Sequence, residues 1–205
     1  MGDFTITYEL GLAFQKTGIQ YYKLKIATPE QFYNAIGKAK ESNPHGAFVT
    51  QHSIEEYSKM RRLFLTMDET AGIAITQDNN IVSIFNGGEK HGVLKTLLPI
   101  AIEHGGRKLD NYNSQKLSAM YELYGFNPVS NVKFNSKFAP ADWNYERDGE
   151  PDVVFWIHNG DSAPEVLLNF GRYSVPWDVV QEFRTYEEAE AYRDKLIEEI
   201  DAMEE

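Results

Sequence analysis

Residues 81–126 read IVSIFNGGEKHGVLKTLLPIAIEHGGRKLDNYNSQKLSAMYELYGF and carry most of the information about the fold. Short apolar runs typical of strands alternate with runs whose apolar residues recur every three or four positions, as in helices. A turn that contains three glycines separates the first strand from the first helix. The pattern predicts a strand, a turn, a helix, a strand and a helix over residues 81–85, 86–92, 93–104, 108–112 and 114–124. Such alternation is typical of the α/β class.

The turn before the first helix is a candidate phosphate site. Helix starts leave backbone N–H groups without partners, and the helix dipole favours negative charge there. Gly87, Gly88 and Gly92 would let the backbone approach a phosphate, with Lys90 and His91 nearby to balance charge. The alternative is a structural loop whose glycines supply positive φ angles. The turn matches neither Gly-x-Gly-x-x-Gly nor a Walker loop, which disfavours hydride transfer and nucleotide hydrolysis.

The composition narrows the class of protein. The chain has 205 residues, of which 42% are hydrophobic and 25% charged, as in ordinary globular proteins of one or two domains. It contains no cysteine, which excludes disulfides, thiolate catalysis and zinc sites built on sulfur. The net charge of −11 argues against binding to nucleic acid. Because no run of residues is typical of a membrane span or a signal peptide, we expect a cytoplasmic protein without a membrane partner.

Further elements are predicted on either side of this stretch. Alternation of apolar and polar residues, or short apolar runs, predicts strands at residues 4–10, 22–26, 71–76, 131–134 and 153–157. The strands at 71–76 and 81–85 are close enough in sequence to form a hairpin. The composition changes near residue 164, which predicts a domain over residues 1–163 and a C-terminal extension over residues 164–205.

Three capping boxes predict helix starts, at Thr28–Gln31, Ser53–Glu56 and Thr185–Glu188. The second of these helices would place four apolar residues on one side, namely Ile54, Tyr57, Met60 and Phe64. The third helix is acidic and would carry an apolar stripe of Ala189, Tyr192, Leu196, Ile200 and Met203.

Tyr121 is a candidate for acid–base chemistry. A tyrosine phenol can donate a proton at the bottom of a cleft. The alternative is a tyrosine that packs between helix and sheet, which periodicity alone favours. The five histidines are scattered without ligand spacing, so no metal site is predicted. A serine hydrolase is also disfavoured, because the chain lacks the Gly-x-Ser-x-Gly elbow.

Residues 20–160 resemble the GCN5-related N-acetyltransferase (GNAT) superfamily. The resemblance rests on element order and on the segment 120–126, MYELYGF, which is similar to that family's Leu-Tyr-x-x-x-Gly-Phe. The family's Gln/Arg-x-x-Gly-x-Gly/Ala loop aligns with residues 89–94, where Gly92 matches but Glu89 and Leu94 depart from the pattern. The stretch from Phe134 to Phe155 also resembles small GNAT-like proteins of bacteriophages and prophages.

The resemblance implies a mixed, splayed central sheet of about six to seven strands with helices on both faces, followed by a C-terminal helical extension. It implies acetyl-CoA as the cofactor, bound where two central strands part. The binding residues that it implies are Phe85, Gly87, Gly88, Lys90, His91, Gly92 and Val93. Tyr121 aligns with the tyrosine that often protonates the coenzyme A thiolate in that family. The acceptor would be an amine of a small molecule or a protein.

Two functions stay open at this point. The first is an N-acyltransferase, which the segment from Tyr121 to Phe126 favours. The second is a catalytically inactive GNAT-fold binding or accessory protein of phage or prophage origin, which Glu89 and Leu94 favour. No general base is predicted. The C-terminal extension would either cover the acceptor side of the cleft or form a homodimer interface through residues 192–200.

Overall fold

The computed structural model describes residues 4–88 and 90–204, which form a mixed α+β protein with eight α-helices and two four-stranded β-sheets. In chain order, the elements are α1 (Tyr8–Thr17), β1 (Leu24–Ile26), α2 (Pro29–Ser42), α3 (Ile54–Ser58), β2 (Arg62–Thr66), β3 (Ala71–Ile75), β4 (Ile81–Asn86), α4 (Leu94–Glu103), β5 (Lys108–Tyr112), α5 (Gln115–Leu123), β6 (Phe126–Val132), α6 (Tyr145–Asp148), β7 (Val153–His158), α7 (Ala163–Leu168), β8 (Gln181–Phe183) and α8 (Tyr186–Glu204). The chain divides into two compact units. Unit 1 comprises Met1–Arg107 and Asp161–Asn169, and unit 2 comprises Lys108–Gly160 and Phe170–Glu205.

The sheet of unit 1 is an antiparallel meander in the order β1-β2-β3-β4. The predicted hairpin between β3 and β4 is confirmed, and Thr76 N donates to Asn80 O at 3.0 Å across its turn. All five residues of β3 are buried, because helices cover both faces of the sheet. Phe32 of α2 packs with Leu65 on one face, whereas α4 contacts β3 and His104 packs on the Phe64 ring on the other.

Strand β4 contains a bulge at Ser83. The pairing between β3 and β4 changes register between Gly72 and Ala74, and Ser83 has a φ angle of 51°, which residues other than glycine rarely adopt. The Ser83 hydroxyl lies 3.0 Å from the Tyr57 hydroxyl and donates to Thr50 O at 3.2 Å. These hydrogen bonds hold the bulge three residues before the end of β4, where the chain leads into the predicted phosphate turn.

The sheet of unit 2 has the order β5-β7-β6-β8, in which β8 is parallel to β6 and the other pairs are antiparallel. Consecutive strand residues point to opposite faces, so Trp156 and Phe155 of β7 lie under different helices. Tyr121 of α5 packs against Trp156 on one face. Tyr186 of α8 packs against Phe155 on the other. Unit 2 is therefore a sheet between two helices.

All three predicted capping boxes begin helices. Thr28 and Ser53 form the complete box at the starts of α2 and α3, and Thr185 accepts from Glu188 N at 3.2 Å at the start of α8. The expectation that Phe64 shares the second helix is wrong, because α3 ends at Ser58 and Phe64 lies in β2.

The predicted strand at residues 4–10 is wrong, because α1 begins at Tyr8. The Thr7 side chain accepts from Leu10 N at 3.3 Å and caps the helix, which Gly18 ends with a φ angle of 68°. Leu10 and Phe14 are buried one helical turn apart. The alternating residues 4–10 therefore lead into a helix. The spacing of four between Leu10 and Phe14 is the helical one.

Two further predictions need correction. Strand β6 begins at Phe126 and ends at Val132, where the sequence predicted residues 131–134, and Pro128 lies inside it beside a bulge. The apolar stripe of α8 is buried only near its start, since Ala189 is 0% exposed whereas Ile200 is 38% and Met203 85% exposed. Residues after 163 contribute α7 to unit 1 and β8 and α8 to unit 2. The domain boundary at residue 163 stays a prediction.

Candidate functional site

The predicted phosphate turn lies in unit 1, directly after β4, and Asn86 closes it. The side-chain amide of Asn86 donates to Lys90 O at 2.8 Å, and its side-chain oxygen accepts from Gly88 N at 3.3 Å. Gly87 N donates to Thr70 O at 2.8 Å, which ties the turn to the connection between β2 and β3. Glu89, where the resemblance expects Gln or Arg, lies outside the described residues.

Glycine is required at the three positions of this turn for different structural reasons. A Cβ atom on Gly87 would come within 2.5 Å of Ala39 in α2, and one on Gly88 within 3.0 Å of Thr70. Gly92 has a φ angle of +71°, and a Cβ atom there would meet only the flexible end of Lys95. Close packing therefore accounts for Gly87 and Gly88, whereas Gly92 supplies the positive φ angle that the turn needs.

The start of α4 presents backbone donors. Lys95 N and Thr96 N donate to Gly92 O and Val93 O, each at 2.9 Å, so the first turn of the helix is formed. Val93 makes no side-chain cap. Within the part of the chain that the structure describes, the amides of Gly92, Val93 and Leu94 have no hydrogen-bond acceptor. These three N–H groups can therefore bind an anion.

Lys90 is already paired with a carboxylate. Its ammonium forms an ion pair with Asp68 and lies 5.9 Å from the centre of the Tyr22 ring. Partial burial raises the pKa of Asp68, but hydrogen bonds from Lys90, Thr66 and Thr70 outweigh that effect and hold the pKa well below its usual range. A phosphate that binds Lys90 would therefore compete with Asp68.

The other residues expected to bind the cofactor face different surroundings. Phe85 is 4% exposed, and its ring packs edge-on against Phe32 with 5.5 Å between centroids, so its backbone would have to make any contact with a ligand. Val93 is also buried. His91 is exposed, and its carbonyl oxygen accepts from the Tyr22 hydroxyl at 2.9 Å.

Tyr121 lies in unit 2 and is buried, with 4% exposure. Its ring packs edge-on against Phe126 and Trp156, with centroids 6.1 Å and 5.9 Å away. Burial, with a smaller effect from the charge of Asp110, raises the pKa of Tyr121 well above its ordinary value. The phenol therefore keeps its proton at neutral pH and is a weaker acid than an exposed tyrosine.

Sequence reasoning missed a cleft in unit 2, which we call the α5 cleft. It has a volume of about 400 Å³ and is lined by Asn113, Gln115, Ser118, Ala119, Glu122 and Trp177. The first five residues lie in or just before α5, and Trp177 comes from the C-terminal segment. The periodicity of α5 shows which of its residues face away from the sheet, but no local signal brings Trp177 to them.

Arg193 of α8 was also missed. It is 0% exposed, and its guanidinium lies 2.8 Å from Asp194, 3.4 Å from Glu190 and 3.9 Å from Asp110. The same group lies over the Phe155 ring at 5.5 Å from its centre. Its position four residues after Ala189, on the same face of the helix, is the signal that could have found it.

Asp110 of β5, whose side chain is 23% exposed, is the acidic partner that the sheet contributes to this cluster. Burial raises the pKa of Asp110, while the charge of Arg193 and a hydrogen bond from Tyr186 oppose that shift. Burial likewise raises the pKa of Tyr186, so it donates this hydrogen bond at neutral pH. Arg193, Asp110 and Tyr186 join α8 to the sheet, which indicates a structural role for this cluster.

The chain has no significant match among protein-family models, curated proteins or solved structures. Across residues 4–88 and 90–204, no helix combines the length and the apolar character that a membrane span requires. In the same residues, no group of three or more His, Cys, Asp or Glu side chains is arranged to hold a metal ion.

Proposed function

We propose that this chain is a GNAT-like N-acyltransferase that moves an acetyl group from acetyl-CoA to an amine of a small molecule or a protein. The backbone N–H groups at the start of α4, which follow the turn after β4, carry the proposal.

The start of α4 fits the phosphates of coenzyme A. The amides of Gly92, Val93 and Leu94 would donate to phosphate oxygens, and the positive end of the helix dipole would favour their charge. Lys90 would add a positive charge if its ammonium group moved from Asp68 to a phosphate oxygen. When bound, acetyl-CoA would supply an activated thioester as the acetyl donor.

Tyr121 is the proton donor in this proposal. The phenol is protonated at neutral pH, so Oη carries the proton that the proposed mechanism transfers to the leaving thiolate. The rings of Phe126 and Trp156 fix its orientation. We assign no general base, and the amine would lose its proton to water or to a group of the acceptor site.

Calorimetric titration with acetyl-CoA and with free coenzyme A tests the binding step. We expect a dissociation constant of roughly micromolar order. Val93→Pro removes one N–H group at a φ angle of −58° that suits proline, and we expect it to weaken binding about tenfold. Val93→Thr keeps the N–H group and serves as the matched control. Absence of binding at millimolar ligand would contradict the proposal.

Turnover of the same protein tests Tyr121. We expect Tyr121→Phe to lower the rate about 100-fold while the affinity for acetyl-CoA stays unchanged, because a positioned proton donor contributes on this order. Tyr124→Phe, three residues later in the chain, should leave the rate unchanged. If Tyr121→Phe has the wild-type rate, Tyr121 takes no part in the reaction.

A catalytically inactive GNAT-fold binding or accessory protein of phage or prophage origin is the second candidate. Three observations favour it: Asp68 holds Lys90, packing accounts for Gly87 and Gly88, and Tyr121 is 4% exposed. The calorimetric titration separates the two functions, since the inactive protein would bind neither acetyl-CoA nor coenzyme A.

A further inference from the structure

The α5 cleft combines a negative charge with an aromatic ring. Among the residues that line it, Glu122 carries the formal charge, and Trp177 supplies the aromatic ring. The other polar lining residues are the uncharged Asn113, Gln115 and Ser118. The cleft is largely open to solvent and has a volume of about 400 Å³.

Glu122 and Trp177 are held in place before any ligand binds. Trp177 Nε1 donates to Glu122 Oε1 at 2.8 Å, and the Trp177 ring packs edge-on against Trp156 with 5.4 Å between centroids. Glu122 Oε2 has no hydrogen-bond donor among the residues that the structure describes. The Trp177 side chain stays 39% exposed. A carboxylate oxygen and part of an indole are thus available to a ligand.

We propose that the α5 cleft binds a small organic cation that carries a primary ammonium group. An ammonium group would pair with Glu122 Oε2 and lie against the Trp177 indole, where aromatic rings attract cations. The side-chain oxygen of Gln115 would accept a further ammonium proton. A phosphate or a carboxylate would instead meet the like charge of Glu122. The carboxylate therefore selects the class of ligand.

The inference does not depend on coenzyme A. Every residue that lines the α5 cleft belongs to unit 2, whereas the predicted phosphate turn belongs to unit 1. Binding of an amine can therefore be measured without acetyl-CoA, and its failure would leave the proposed acyl transfer untouched.

The competing explanation is a purely structural pair, in which Glu122 and Trp177 tie the C-terminal segment to α5. Glu122→Gln separates the two roles. The glutamine oxygen can still accept from Trp177 Nε1, but the negative charge is lost. Glu187→Gln removes an exposed acid in α8 and is the matched control.

The experiment follows the indole N–H signal of Trp177 by NMR in the full-length protein, titrated with 1,4-diaminobutane or with uncharged 1,4-butanediol. We expect the diamine but not the diol to shift this signal. Glu122→Gln should raise the dissociation constant of the diamine at least about tenfold with an unchanged melting temperature. Glu187→Gln should bind as the wild type does.

Two results would overturn the proposal: no shift of the Trp177 signal at roughly 50 mM diamine, or equal binding by the wild type and Glu122→Gln. If Glu122→Gln does not fold, the salt dependence of diamine binding to the wild-type protein tests the proposal instead. Ion pairing requires the diamine to bind more weakly when NaCl rises from about 20 to about 500 mM, and salt-independent binding would also overturn the proposal.

Discussion

Tyr124 buries a hydroxyl group that has no hydrogen-bond partner within the described residues. Its ring packs edge-on against Phe170, with 5.1 Å between centroids, and burial raises the pKa of the phenol. An unsatisfied buried polar group costs about 1–3 kcal/mol, so Tyr124→Phe should raise the free energy of unfolding by about 1 kcal/mol. Urea denaturation measures this change as a higher midpoint with an unchanged slope.

Tyr57→Phe is the matched control, because the Tyr57 hydroxyl is also buried but lies 3.0 Å from the Ser83 hydroxyl and accepts from His52 N at 3.2 Å. Loss of these two hydrogen bonds should lower the free energy of unfolding by about 1–3 kcal/mol. The same substitution therefore has opposite effects at the two positions. If both variants lose stability, the Tyr124 hydroxyl has a partner that stabilises the fold.

Asp68 forms an ion pair with Lys90, the lysine of the predicted phosphate turn. Asp68→Asn would remove the ion pair that holds Lys90 and leave its ammonium free for phosphate. We expect the affinity for acetyl-CoA to rise several-fold, while stability falls by less than about 1 kcal/mol because the pair is partly exposed. Calorimetry measures the affinity, and Glu55→Gln, in a pair with Lys59 remote in sequence, is the control. A weaker affinity would exclude Lys90 from phosphate binding.

The sequence identifies some site residues better than others. Gly92 could be recognised, because a glycine before a helix commonly supplies a positive φ angle, and Gly92 has one. The close approach of Gly87 to Ala39 could not be recognised from the sequence, because these residues are distant in the chain. Trp177 reaches Glu122 for the same reason. Local patterns thus predict backbone geometry but not which distant side chain completes a site.

At the scale of elements, Arg193 of α8 faces Asp110 of β5, and the protonation of Asp110 makes the stability of the protein depend on pH. Burial raises the pKa of Asp110 in the folded protein above its unfolded value. The folded state therefore holds this proton more tightly, so the contribution of Asp110 to stability is fully present below about pH 4, the ordinary aspartate pKa, and is lost as the pH rises through its folded pKa.

Asp110→Asn removes this titration. The free energy of unfolding of the variant, minus that of the wild type, should increase between about pH 4 and pH 7. Urea denaturation at several pH values measures this difference. Asp142→Asn, which changes an exposed aspartate, should show no such trend. A difference that falls with pH would mean that Arg193 outweighs burial and lowers the pKa of Asp110.

Helix starts were predicted correctly where the sequence contains a complete capping box. Thr28, Ser53 and Thr185 each begin a helix as predicted. Residues 4–10 failed because alternation over so short a run does not separate a strand from the start of a helix, and Thr7 caps α1 without a complete box. Strand β6 begins five residues earlier than predicted, and Pro128 occupies a position in it beside a bulge. Bulges and incomplete caps are therefore where local patterns mislead.

For the whole molecule, the segment after Asn169 supplies part of the core of unit 2. Ala189 packs with Val132 and Phe155, and Arg193 faces Asp110. A chain that ends at Asn169 lacks β8 and α8 and would expose these apolar residues with an unpaired Asp110. We expect unit 2 to lose its fixed packing, so that the near-ultraviolet circular dichroism of Trp143 and Trp156 is lost and the chain binds the dye ANS. If the fluorescence of Trp143 and Trp156 still reports cooperative unfolding, unit 2 folds without residues 170–205.

Helix α7 gives the molecule a particular order of assembly. It packs against α1 and α4 and buries Val166 and Leu167, yet it comes after most of unit 2 in the chain. On the ribosome, Leu10 and its neighbours therefore emerge long before the helix that covers them. The first hundred or so residues would wait with an uncovered apolar surface, open to chaperones, until residue 168 leaves the exit tunnel. Completion of unit 1 thus depends on synthesis of the intervening part of unit 2.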